Sequence, residues 1–219
     1  MTKKNIKFSI AIDGNSASGK TTGSQIISKK FKFKLLSSGR LYRYLAYKII
    51  KNKKKYNQKY IRNQSKKITL LKLKNKKLNS PQITKLSSTI ATKKYIRKEL
   101  KKVQIDFIKK NKKVIIEGRD IASKIMPNAD LKIFFKCSLK EKAKRRLKEY
   151  KKINKNIKLN EVKKSLKLRD FSDKNRKESP LLFVKGAVLV DTTKLTIKQM
   201  KLLLINLVKR ELIKKYGNI

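Results

Sequence analysis

The sequence predicts an α/β fold in three layers, a five-stranded parallel sheet with helices on both faces. Three observations carry this expectation. Five short apolar runs alternate with stretches of helical period, which is the pattern of a parallel sheet buried on both sides. The first run passes at once into a glycine-rich turn and a helical stretch. No apolar run approaches the roughly 20 residues a membrane-crossing helix needs; the longest, Leu202 to Val208, is far too short.

Taken in order, Ile6 to Ile12 alternates and then turns wholly apolar, as a strand entering the centre of a sheet does. Ile26, Ile27 and Phe31 follow at helical spacing, and Phe33 to Ser37 reads as a second strand. From Gly39 to Ile50 the helical period returns at Leu41, Leu45, Ile49 and Ile50. Lys51 to Asn79 is lysine-rich, holds a strand candidate at Ile68 to Leu73, and reads as a small insertion. A helical pattern over Ser87 to Asn111 leads to a third strand at Val114 to Ile116 and a fourth at Leu131 to Phe135. Leu139 to Lys152 is helical, and Ile153 to Glu178 is a polar helical excursion ending before Pro180. Ala187 to Val190 is the fifth strand and Ile197 to Lys215 the final helix. These readings divide a single domain, 1–219, into a core of 1–50, 80–152 and 179–219, an insertion at 51–79 and an excursion at 153–178.

Among the 219 residues are 63 Lys+Arg and 14 Asp+Glu, for a formal net charge of +49. Such a field attracts polyphosphates and nucleic acids. The lysines, however, occur in every segment rather than in one tail or stripe, and few aromatics are interleaved with them to stack bases. Composition drift over tolerant surface positions therefore accounts for the charge better than a dedicated nucleic-acid partner, and weak nonspecific RNA binding fits either reading. Cys137 is the only cysteine, so no internal disulfide forms, and the N-terminus leads straight into a strand with no room for a signal peptide. The expectation is a cytoplasmic protein without a membrane segment.

The chemistry lies in the turn after the first strand. Gly14, Asn15, Ser16, Ala17, Ser18, Gly19, Lys20 and Thr21 match the P-loop pattern G-x-x-x-x-G-K-[ST], with Thr22 next in the helix. Glycines let backbone N–H groups fold around phosphate oxygens, and the following helix aims its positive dipole end at them. Lys20 reaches the β- and γ-phosphates in this scheme, and Thr21 gives its hydroxyl to Mg2+. With glycine at about 7% of residues, the pattern arises by chance in on the order of one chain in a hundred, and here it also sits at a strand–helix junction. A nucleoside triphosphate site is expected, with ATP and Mg2+.

A P-loop alone does not choose between switches, motors and kinases. In a chain whose cations are mostly lysine, arginine at Arg43, Arg97, Arg119, Arg169 and Arg176 stands out. Planar, permanently charged guanidinium groups suit a second phosphate held against the first.

Leu35-Leu36-Ser37-Ser38-Gly39-Arg40-Leu41-Tyr42-Arg43 resembles the L-L-D-S-G-x-x-Y-R segment of bacterial cytidylate kinases. Glu117-Gly118-Arg119-Asp120 resembles their D-G-R-D turn, and Arg169 to Arg176 their R-D-x-x-D-x-x-R lid motif. Leu189 to Thr193 resembles their last strand and its Asp-Ser/Thr turn. With the P-loop these make five motifs in the family's order, covering residues 6 to about 210 and weakest across 51–79. The resemblance implies a P-loop fold in which 51–79 is the acceptor-side insertion and 153–178 the lid. It also implies ATP-dependent phosphorylation of CMP or dCMP by a monomer.

By the same resemblance Ser38 and Arg43 touch the acceptor nucleotide, Arg43 at its phosphate. Ser88 and Arg97, in a stretch like the family's N-A-A-S…V-R-E-A-L, contact cytosine, with Arg97 also near the phosphate. Arg119 holds phosphate and Asp120 faces the base, where a carboxylate can accept from the exocyclic amine that uracil lacks. Arg169 and Asp173 grip the ribose, and Arg176 meets the phosphate in transit. The catalytic candidates are thus Lys20, Arg119, Arg169 and Arg176. Three departures stand out: Ser37 and Glu117 where the family carries Asp, and Ser172 where many members carry another lid arginine. The rival expectations are a kinase for UMP, AMP or dTMP, and a basic P-loop protein using nucleotide as a switch on RNA.

Overall fold

The computed structural model describes residues 6–52, 56–151 and 157–217. The parts of the insertion and lid expectations that fall on 53–55 and 153–156, and the helical reading at Lys152, lie outside the described residues. Five strands form one sheet: β1 (Phe8–Gly14), β2 (Lys34–Ser37), β3 (Lys113–Glu117), β4 (Leu131–Lys136) and β5 (Val188–Asp191). Their order is β2-β3-β1-β4-β5, and every pairing is parallel. The central β1 runs beside β3 from Phe8↔Lys113 to Ile12↔Glu117 and beside β4 from Ile10↔Leu131 to Gly14↔Phe135.

Between the strands lie α1 (Lys20–Phe31), α2 (Ser38–Asn52), α3 (Gln58–Lys66), α4 (Leu70–Leu73), α5 (Pro81–Ile90), α6 (Lys94–Lys109), α7 (Leu139–Lys151), α8 (Leu159–Asn175) and α9 (Ile197–Tyr216). Side chains alternate across a strand, so β1 and β3 feed two cores. Ala11, Val114 and Ile116 join Leu41 and Leu45 of α2, Ile90 of α5 and Leu100 of α6 on one face. Ile10, Ile12 and Ile115 join Ile27 of α1 and Leu204 and Val208 of α9 on the other. Ile10 and Ile12 are wholly buried, each contributing roughly 1.5–3 kcal/mol of apolar transfer. A smaller cluster of Ala143, Val162 and Leu166 joins α7 to α8, with Ala17 of the glycine turn packed against it.

The strand candidate at Ile68 to Leu73 is corrected: residues 70–73 form the helical turn α4, capped by the Thr69 side chain. Leu73 is buried while Leu70 and Leu71 are exposed, so the apolar run supplies one core contact rather than a sheet face. The single helix over Ser87 to Asn111 is also corrected. Ser80 caps α5, Pro81 occupies its first turn, and the chain turns at Ala91 to Lys93 before α6 begins. Pro and a Ser cap are start signals that outweigh the weaker periodicity after them.

Candidate active site

The site lies where the strands end at their carboxyl side. Gly14, the last residue of β1, has φ 143°, and a Cβ there would stand 2.2 Å from the Phe135 carbonyl oxygen. Only glycine lets the chain leave the sheet at this point. Ala17 and Gly19 are also left-handed, at φ 57° and 90°, which curls successive N–H groups into an anion-binding concavity ahead of α1. Thr192, at the end of β5, donates its hydroxyl to the Ser18 carbonyl at 2.9 Å and so ties the turn to the sheet.

Lys20 opens α1, is 6% exposed, and donates from Nζ to the Asn15 carbonyl at 2.6 Å. Burial, and then the nearby Arg119 charge, hold its ammonium well below the ordinary lysine range. Thr21 donates its hydroxyl to Glu117 at 2.9 and 3.1 Å from the two carboxylate oxygens. Thr22 is exposed. Ser16 and Ser18 are buried, and the Ser18 hydroxyl lacks a hydrogen-bond partner.

Beside the turn is a cavity. Its lining includes Ser38, Ser88, Arg97, Arg119, Asp120, Arg169, Asp173 and Arg176, eight of the nine acceptor residues read from the sequence. The ninth, Arg43, lies one turn further along α2 and donates from Nη1 to Asn79 Oδ1 at 3.0 Å. Burial, and then the charges of Arg146 and Arg40, pull it down to about 10, so it stays cationic at neutral pH. Arg97 pairs with Asp120 and donates to the Ala91 carbonyl at 3.0 Å, in the turn between α5 and α6. On α8, Arg169, Asp173 and Arg176 fall at i, i+4 and i+7, one face of a helix.

Asp173 accepts from Arg119 Nε at 2.7 Å and from Arg176 Nη1 at 3.3 Å. Burial raises its carboxyl, but Arg119, Arg169 and Arg176 outweigh that and leave it below the ordinary range. Arg169 is pulled down to about 9, by burial first and then by Arg119. Its Nε, and Nη2 of Arg176, are buried without a hydrogen-bond partner. Unsatisfied buried donors are costly, and these sit on cations. The cavity is therefore short of an anion.

Three contributors escaped the sequence reading. Asp13, 2% exposed, accepts from the Ile121 and Ala122 backbone N–H groups at 2.9 and 2.7 Å, fixing the Arg119–Asp120 turn against the donor loop. Burial raises its carboxyl to about 6, against the lowering effect of those two bonds. Asp170 of α8 accepts from the Ser16 N–H at 3.1 Å and pairs with Lys142 of α7. Asp13 directly precedes the glycine turn and Asp170 lies within the lid-like motif, which was the available signal; Lys142 is one lysine among many and had none.

A phosphate-binding turn with a buried lysine, set beside an arginine-lined cavity, defines a P-loop kinase. The sequence profile of the cytidylate kinase family matches residues 10–210. The chain belongs to the cytidylate kinase family. It is 37% identical over 200 residues to the cytidylate kinase of Fusobacterium nucleatum, covering 86% of this chain and 91% of the relative. To that of Rickettsia africae it is 36% identical, covering 94% and 93%, and to that of Mycoplasmoides gallisepticum 34%, covering 97% and 98%. The crystal structure of an uncharacterised protein from Eubacterium ventriosum superposes with a TM-score of 0.54 at 14% identity, over 93% of this chain and 99% of that one. That likeness shows the fold.

Proposed function

We propose that this protein transfers the γ-phosphoryl group of ATP to the phosphate of CMP or dCMP, giving CDP or dCDP and ADP. The observation that carries the reading is the direct contact between two anion cradles. Thr21 of the donor turn donates to Glu117 at 2.9 Å, and Gly118, Arg119 and Asp120, next in the chain, line the acceptor cavity, so two phosphates held in these cradles would lie next to each other. Family membership supplies cytidine as the base, and the Arg97–Asp120 pair within the cavity offers it a guanidinium donor and a carboxylate acceptor.

The chemistry is in-line transfer without a covalent enzyme intermediate. The acceptor oxygen is already anionic, so it needs no general base, and the chain has no histidine to serve as one. The protein contributes position and charge: the backbone amides of residues 15–19 and Lys20 hold the donor, and Arg43, Arg119 and Arg176 hold the acceptor. Arg176 also faces the charge that spreads over the phosphoryl group in flight, and Arg169 grips the ribose with Asp173. The lid helix α8 excludes water that would hydrolyse ATP. Thr21 and Glu117 present hydroxyl and carboxylate oxygens side by side, the hard donors that magnesium takes together with phosphate and water. An ion held by these two residues would supply positive charge to offset the negative charge of the donor phosphates.

The resemblance to cytidylate kinases is what favours a monomer. Among the described residues no helix is long and apolar enough to cross a membrane. With the lone, buried Cys137, this supports work in the cytoplasm.

A coupled assay of ADP release tests the proposal across CMP, dCMP, UMP, AMP and dTMP. CMP and dCMP should exceed UMP in kcat/KM by at least about 100-fold, the scale set by a site that hydrogen-bonds a group its competitor lacks. Preference for UMP, AMP or dTMP would replace the cytidine reading. Lys20→Met should lower turnover by about 100-fold or more with an unchanged circular dichroism spectrum.

A further inference from the structure

Lys142 rises from the first turn of α7, and its side chain is 6% exposed. An ammonium so far from water needs an anion close by. That anion is Asp170, on the lid helix α8 rather than on α7 itself. Asp170 spends its other carboxylate oxygen on the Ser16 N–H, at 3.1 Å. Ser16 belongs to the turn whose amides are shaped to receive phosphate oxygens, and Ala17 next to it packs against the α7–α8 cluster. A carboxylate therefore bridges a loop amide and a buried ammonium, as an oxygen-bearing anion such as a phosphate would.

The bridge cannot persist once ATP is seated. The triphosphate claims the Ser16 amide, and a carboxylate beside it would be repelled. Asp170 can turn away about its side-chain bonds while α8 stays over the site. Lys142 has less freedom, because its helix is anchored at the end of β5 by Arg145, which donates from Nη1 to the Thr192 hydroxyl at 3.0 Å and from Nη2 to the Thr192 carbonyl at 2.7 Å. Its ammonium stays by the donor turn and takes the nearest remaining anion.

We propose that Lys142 is a phosphate ligand of the donor site, and that Asp170 is the stand-in anion that ATP displaces from it. The inference rests on the kinase reading, since it assigns the donor as ATP. It adds a second lysine to the donor cradle beside Lys20.

Calorimetric titration of ATP into the full-length protein tests this, with adenosine as the uncharged probe. Lys142→Met should weaken ATP binding by about 10- to 100-fold, the range for a hydrogen bond to a charged group. Lys142→Arg should recover most of that loss, and adenosine affinity should not change in either. Asp170→Asn should tighten ATP about 3- to 10-fold by removing the competitor, within the range expected for a single charge contact. The double variant Lys142→Met/Asp170→Asn, which leaves no unpaired buried charge and so keeps the test open if the single lysine variant does not fold, decides between roles. It should bind ATP as weakly as Lys142→Met. Recovery of wild-type affinity in the double variant would mean that Lys142 only neutralises Asp170, and would overturn the assignment. So would equal losses for ATP and adenosine, or no tightening in Asp170→Asn. Failure of the kinase reading would appear elsewhere, as wild-type protein that binds ATP yet phosphorylates no nucleoside monophosphate.

Discussion

Asp120 and Arg97 meet inside the acceptor cavity, and both are largely withdrawn from solvent. A carboxylate held this way can accept from the cytosine amine, whereas an amide in its place offers donor and acceptor alike. Asp120→Asn should therefore bring kcat/KM for CMP and UMP closer by about 10-fold or more, the worth of one good base contact. An unchanged ratio would remove Asp120 from base reading. Asp13 makes a different statement, about pH. Its folded carboxyl is raised from 3.8 to about 6, so this group stabilises the protein when protonated. The contribution is complete below pH 4 and is lost as pH climbs through 6, an effect on the order of 3 kcal/mol. Relative to Asp13→Asn, which cannot titrate, the wild type should lose stability between pH 4 and 7 in urea unfolding. At this scale the sequence was informative where residue type departed from background. Arginines stood out among lysines, and the cavity gathers them. Asp13 and Asp170 act across 108 and 154 residues of chain, through backbone amides that leave no local pattern to read.

Among the elements, α1 is set by its neighbours as much as by its own sequence. A Cβ at Gly23 would stand 2.6 Å from the ring of Phe135 on β4 and 3.0 Å from Leu204 on α9. Phe135 and Leu204 are wholly buried, so neither can step aside. Alanine is the better helix former by about 1 kcal/mol, but overpacking costs about 1–3 kcal/mol and wins. Gly23→Ala should lower the urea midpoint, and the double variant Gly23→Ala/Leu204→Ala should lose less stability than the sum of the two single losses. The strands were legible for a related reason: β1 and β3, buried on both faces, and β4, buried at alternate residues, read as short apolar runs with few competing interpretations. Ile68 to Leu73 looked similar and is not a strand, because three leucines in six residues fix hydrophobicity without fixing which neighbour they meet. The start of α5 was written in Ser80-Pro81, a cap and a first-turn proline outside the stretch where helical period was sought, whereas the turn at Ala91 to Lys93 that parts it from α6 holds neither glycine nor proline.

At the scale of the whole molecule the charge of +49 acts through its field rather than through particular contacts. Both substrates are polyanions, so the field speeds their encounter, and salt screens it with a Debye length of about 10 Å at 0.1 M. KM for CMP and for ATP should rise as potassium chloride goes from 50 to 200 mM while kcat holds. RNA binding over the same range should be weak, insensitive to sequence and steeply salt-dependent, and ATP should leave it unchanged. An ATP-dependent RNA affinity would favour the switch over the kinase. The strand order carries one more consequence. Because β1 is flanked by β3 and β4, the first strand to leave the ribosome has no neighbour in the sheet until residue 113, and none on its other edge until residue 131. A nascent chain shorter than this holds the glycine turn with nothing to set its shape. Nucleotide affinity should thus be acquired late and all at once during translation, leaving the first hundred residues dependent on chaperones.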